Sequence, residues 1–205
     1  MPRDAQLQRL LDLSEAAIAA GAAPGSAPAL AAEKVFAALR REEGKAWTGS
    51  GSRLPVCRHL GEIFAAGGTA PVPLPDIIRA FRVLEFQLRW SRRTTARPQA
   101  RRFWNGHANT MIVGPGGFEA RNDIWVGATL MEPHFTYIDH DHPPEEVYLA
   151  LTAGAWWNSD MDWTEPGPGG LIYNRPGIRH AMRAGAQPFL ALWFLPVFDS
   201  GAIIH

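Results

Sequence analysis

The second half of the chain places the tightest limits on its fold. After Arg102 helical periodicity stops, and short apolar runs alternate with turns built from Gly, Pro and Asn. These runs predict strands at 110–113, 123–130, 136–142, 147–151, 170–173, 180–182 and 189–195. Short strands broken by turn signals at this density point to an all-β sandwich or barrel.

The first hundred residues have another texture. Leu7, Leu10, Leu11 and Ile18 recur at helical spacing and predict a helix over 4–21 that stops at Gly21. A second helix is predicted over 29–41, burying Leu30, Val35, Phe36 and Leu39, and a short third one over 57–66, burying Leu60, Ile63 and Phe64. The strongest pattern is the stripe Ile77, Phe81, Leu84 and Leu88, which predicts a helix over 75–90 with Pro75 and Asp76 in its first turn. The fold class expected is therefore mainly β, α+β overall. Residues 1–100 form a helical extension packed on a β-barrel of residues 101–205. Between them, Arg89 to Arg102 holds six arginines, read here as a solvated linker, with an anion-attracting surface as the alternative.

Composition narrows the functional classes. Lys plus Arg and Asp plus Glu both number 20, so formal net charge is zero, which argues against a nucleic-acid or acidic-membrane partner. With 46% hydrophobic residues there is enough apolar surface for a buried core. Cys57 is the single cysteine, so no internal disulfide framework exists. No apolar h-region follows Met1 to Gln6, and no apolar run reaches spanning length. The expected setting is cytoplasmic, with a small molecule as partner and a homodimer as a possible assembly.

Chemistry concentrates in Tyr137-Ile-Asp-His-Asp-His-Pro-Pro-Glu-Glu-Val-Tyr148. On a strand His140 and His142 share a face, Pro143 and Pro144 break the ladder, and Glu146 and Tyr148 share a face when pairing resumes. His180 follows downstream in Pro176-Gly-Ile-Arg-His180. Imidazoles and a carboxylate converging inside a small β structure make a divalent-metal site, in which Zn, Fe, Mn, Co and Ni all suit the donors. Tyr137 has odd spacing to His140, so only a β-bulge brings both to one side. Adjacent Trp193 and Phe194 face opposite ways, and Trp193 is the one expected in the cavity. His59, His107, His134 and His205 read as ordinary packed or surface residues.

The pattern His140-x-His142-x3-Glu146, with Gly177-x2-His180, resembles the cupins, small jelly-roll barrels with an internal divalent metal. It departs from the cupin motifs at His134 and Ala184, and in the spacing of Gly154 and Pro176. Tyr137-x2-His140-x-His142-x3-Glu146-x-Tyr148, Arg102-Phe-Trp-Asn-Gly-His107 and the helical first part are similar to the cupin lyases of dimethylsulfoniopropionate (DMSP), especially the Q type. That resemblance implies a metal held by His142, Glu146 and His180, whereas the general cupin motif adds His140. It makes Tyr148 the general base of a β-elimination yielding dimethyl sulfide and acrylate, with Tyr137 and His140 positioning substrate. Trp193 would offer its face to the sulfonium. A related cupin enzyme acting on another small carboxylate, and a non-catalytic ligand-binding cupin, are the alternatives.

Overall fold

The structure is a computed structural model that describes residues 2–69, 72–94 and 96–197. His205 lies outside the described residues. Five α-helices are present among them: α1 (Ala5–Gly21), α2 (Ala27–Arg41), α3 (Leu60–Ala66), α4 (Leu74–Glu85) and α5 (Arg101–Gly106). The strands are β1 (Lys45–Ala46), β2 (Trp90–Ser91), β3 (His107–Val113), β4 (Glu119–Ala120), β5 (Ile124–Met131) and β6 (Thr136–His140). They continue with β7 (Glu146–Ala150), β8 (Ala155–Asn158), β9 (Met161–Thr164), β10 (Leu171–Asn174), β11 (His180–Arg183) and β12 (Phe189–Pro196). Strands and helices thus form a mixed fold with a helical N-terminal region.

The strands form two sheets. The larger has the order β1-β4-β3-β5-β12-β7-β10, with β2 added on β3, and the smaller has the order β6-β11-β8-β9. Alternate residues of β12 serve two cores. Leu190, Leu192 and Phe194 join the helical residues, while Phe189, Ala191, Trp193 and Leu195 join side chains of the small sheet. The large sheet is covered on both faces, so every residue of β12 is buried, and the strand reads as one continuous apolar run. Phe36 of α2 meets Phe194 with ring centroids 5.5 Å apart. Burying each such ring stabilises the fold by about 1.5–3 kcal/mol.

Local chemistry explains the helix ends. Asp4 caps α1 by accepting from the backbone N–H groups of Gln6 and Leu7. At α4, Ile77, Phe81 and Leu84 are fully buried as the stripe predicts, but the helix ends at Glu85 instead of running to residue 90. The backbone N–H groups of Gln87 and Leu88 bond three residues back, in tight turns. Trp90 then pairs with Thr110 in the sheet and donates its indole N–H to the buried Glu85 at 2.9 Å. Sheet pairing overrides the helical stripe there, and Leu88 is buried outside the helix.

One other expectation needs correction and one needs refinement. Leu30 is exposed, because the buried face of α2 runs through Ala31, Ala32, Val35, Phe36 and Leu39. The arginine-rich stretch is exposed over most of its length, as a solvated linker would be, but it also packs on the fold. Arg89 lies over Trp47 and Arg92 over Trp104, at 3.9 and 4.3 Å from the ring centroids, and α5 occupies the end of the stretch.

Candidate active site

The site lies between the sheets, in a cavity of about 280 Å³. The large sheet supplies Glu146 and Tyr148 from β7 and Trp193 from β12, and Trp193 pairs with Tyr148 in the ladder. Gly127 on β5 permits the indole to lie against the strand, since a Cβ there would sit 2.2 Å from the ring. Phe194 turns away into the helical core. The small sheet supplies His180, which stands opposite His140 across β11 and β6. Between His180 and Met182 the register shifts, so Met182 pairs with Tyr137. That bulge brings Tyr137 to the same side as His140, with the rings 5.1 Å apart.

Three imidazoles converge. One ring nitrogen from each of His140, His142 and His180 lies within 4.8 Å of the others. In each ring Nδ1 faces a backbone carbonyl: Ile138 at 3.1 Å for His140, Pro144 at 2.9 Å for His142 and Ile178 at 3.0 Å for His180. An Nδ1–H donating to a carbonyl leaves the Nε2 lone pair free, the tautomer a metal-binding imidazole requires. His180 Nε2 is buried and makes no hydrogen bond. Glu146 Oε2 lies 3.4 Å from Nε2 of both His142 and His180. Asn174 donates to the same oxygen at 3.2 Å, and Asn158 steadies Asn174 at 3.0 Å. An unpartnered buried nitrogen among imidazole and carboxylate donors fits a divalent metal ion, so the three histidines could hold one.

The electrostatics are those of a site whose charges lean on one another. Burial drives the Glu146 carboxyl upward, but His142, with His180 and His140, outweighs it and brings it down to about 2. His142 is raised because Glu146 outweighs its burial. Burial lowers His180, and burial together with His180 lowers His140 to about 3. Burial and the Glu146 carboxylate hold the Tyr148 hydroxyl well above the usual tyrosine range.

A directed hydrogen-bond chain runs along the cavity wall. Trp193 Nε1 donates to Thr129 Oγ1 at 3.2 Å, Thr129 donates to Asn109 Oδ1 at 2.8 Å, and Asn109 Nδ2 donates to Tyr137 Oη at 3.0 Å. The Tyr137 oxygen therefore accepts, and its own O–H is left to donate into the cavity.

Asn109, Thr129 and Arg93 escape reading from sequence. Nothing in β3 or β5 marks the first two, and Arg93 sits in the arginine run. His107 was read as an ordinary packed residue, and it is fully buried. Its Nδ1 faces the Phe103 carbonyl, its Nε2 accepts the backbone N–H of Arg93 at 3.2 Å, and burial lowers it to about 4.

The profile of the DMSP lyase family matches residues 29–191. The DddL protein of Cereibacter sphaeroides, named as a DMSP lyase, is 33% identical over 132 residues, covering 64% of this chain and 54% of that one. The DMSP lyase DddQ of Ruegeria pomeroyi is 31% identical over 93 residues, 44% of this chain and 45% of its own. The chain thus spans about half the length of the curated relatives it matches. The crystal structure of the Ruegeria DddQ superposes with a TM-score of 0.70 at 23% identity, covering 97% of this chain and 95% of that one. A chain from crystal structures of the DMSP lyases RdDddP and RnDddQII gives 0.72 at 20% identity, covering 97% and 96%. At such identities these structures show a shared fold.

Proposed function

The chain belongs to the DMSP lyase family, and on that premise we propose that it cleaves DMSP by β-elimination to dimethyl sulfide and acrylate. The cavity between the sheets is the active site, and the sheets are the halves of a cupin-type jelly roll carrying the helices of residues 1–100. The observation that carries the reading is the placement of Tyr148. It shares a buried strand face with Glu146 inside the cavity that gathers three imidazoles.

His142, Glu146 and His180 would hold the metal, with His140 as a further donor. The donor set admits Zn, Fe, Mn, Co or Ni. When bound, such a cation supplies positive charge that favours the Tyr148 phenolate and withdraws electrons from a substrate carboxylate. Every remaining step belongs to protein side chains. Tyr148 takes the proton from the carbon next to the carboxylate. That C–H electron pair becomes the carbon–carbon double bond as the carbon–sulfur bond breaks, and dimethyl sulfide leaves with the sulfur pair. Tyr137 keeps its proton, which burial favours, and donates it as a hydrogen bond that orients substrate. Trp193 presents an indole face to the sulfonium, an attraction of about 0.5–2 kcal/mol.

Headspace gas chromatography on metal-loaded protein supplied with DMSP tests the reading. Wild type releases dimethyl sulfide, and Tyr148→Phe releases less by about 100-fold or more, the scale of general-base catalysis. Equal release from the two proteins removes Tyr148 as the base. Absence of release from both moves the assignment to another small carboxylate.

A further inference from the structure

We propose that Arg93 is the anion-recognising residue of this cavity, receiving the carboxylate end of the substrate; the inference rests on the small-carboxylate reading of the site and adds a residue to it. Arg93 lines the cavity and lies over the Tyr137 ring, with its guanidinium carbon 5.8 Å from the centroid. Its backbone is held on both sides. The N–H donates to the buried His107 at 3.2 Å, and the carbonyl accepts from Ala96 at 2.9 Å. The loop therefore presents this side chain in a set direction.

Its place separates it from other arginines of the molecule, because among the described residues it is the arginine that lines this cavity. Arg3, Arg53, Arg121, Arg175 and Arg179 each hold a carboxylate. Among the described residues Arg93 forms no such ion pair, although Glu146 and Asp141 line the same cavity. A half-buried guanidinium facing aromatic walls is costly unless an anion reaches it. Its planar fork of donors matches the two oxygens of a carboxylate. Trp193, on β12 in the same cavity, presents a π face suited to a cation. A short zwitterion with an anionic and a cationic end meets a complementary group for each.

Calorimetry on metal-loaded protein tests this with two half-probes, sodium propionate for the anionic end and trimethylsulfonium iodide for the cationic end. Arg93→Met weakens propionate by about tenfold or more and leaves trimethylsulfonium unchanged, and Arg93→Lys recovers part of the loss. Arg101→Gln, an exposed arginine of the same stretch, behaves as wild type. Equal propionate binding by wild type and Arg93→Met overturns the proposal. So does parallel loss of both probes in Arg93→Met and Arg93→Lys alike. Wild type that binds propionate through Arg93 but releases no dimethyl sulfide keeps this inference and removes DMSP as substrate.

Discussion

Both faces of the large sheet are covered, and they do different work. Along β12, Leu190, Leu192 and Phe194 meet the helices, and their neighbours Ala191, Trp193 and Leu195 meet the cavity side. The helical face is built mainly from apolar side chains held by packing. The cavity face carries Glu146, Tyr148, Trp193 and Thr129, each placed by a hydrogen bond or a neighbouring charge. Burial by itself therefore does not mark function in this protein. Changes on the helical face should alter stability and spare chemistry, and changes on the cavity face should do the reverse.

The largest effect is expected across the cavity from that face, at His180 of the small sheet, whose buried Nε2 has no hydrogen-bond partner. His180→Ala removes the buried nitrogen that Glu146 faces at 3.4 Å. Metal affinity should fall by more than the ~100-fold that loss of a mere outer-shell partner costs. Metal analysis after dialysis reads this directly. Equal occupancy in wild type and His180→Ala would remove His180 from the donor set.

The helical face gives the matching test of stability. Phe194→Ala deletes the ring that meets Phe36 at 5.5 Å, at a cost of about 3–5 kcal/mol. Urea unfolding should show the lower midpoint, while the folded protein keeps its metal stoichiometry. A variant equally stable but empty of metal would mean that the faces are not separable.

Much of this division was legible in the residues. Period-two alternation gave the β7 and β12 faces, because strand geometry admits only two directions. It put Trp193 and Phe194 on opposite faces without deciding which one lines the cavity, and it required the bulge that β6 and β11 contain at Tyr137. Other features had no local signal. The β8–β9 hairpin was missed because β9 is an exposed strand without apolar alternation. Arg93 looked like its neighbours, since a contact made across the fold leaves no mark on sequence spacing. His134 took the glycine position of the cupin motif and adopts φ 56° there. The turn kept its left-handed conformation although the residue that favours it is absent.

A pH effect follows from His107, which lies on the cavity side of β3 and anchors the Arg93 loop. Burial holds it at about 4 when folded, against an ordinary 6.5. Above pH 6.5 it is neutral in both states and adds no slope. Between 6.5 and 4 the unfolded chain takes up a proton that the native state refuses, so stability falls as pH falls, by up to about 3 kcal/mol. Urea unfolding of metal-free protein across that window should show a shallower fall in His107→Gln than in wild type. Parallel pH profiles would place His107 in a solvated environment instead.

The smallest expected effect probes whether the cavity face acts through its hydrogen-bond chain or through single contacts. Asn109 joins Thr129 to Tyr137, at 2.8 and 3.0 Å. Asn109→Ala should let the Tyr137 hydroxyl turn and lower kcat/KM by about tenfold, with about 1 kcal/mol lost in stability, the net worth of an ordinary buried hydrogen bond. Tyr137→Phe removes the hydroxyl itself. If the chain serves to aim that hydroxyl, the double variant is no worse than Tyr137→Phe alone, a coupling of about 1 kcal/mol in transition-state stabilisation. Additive losses would mean that Asn109 supports the cavity as packing, in the manner of the helical face.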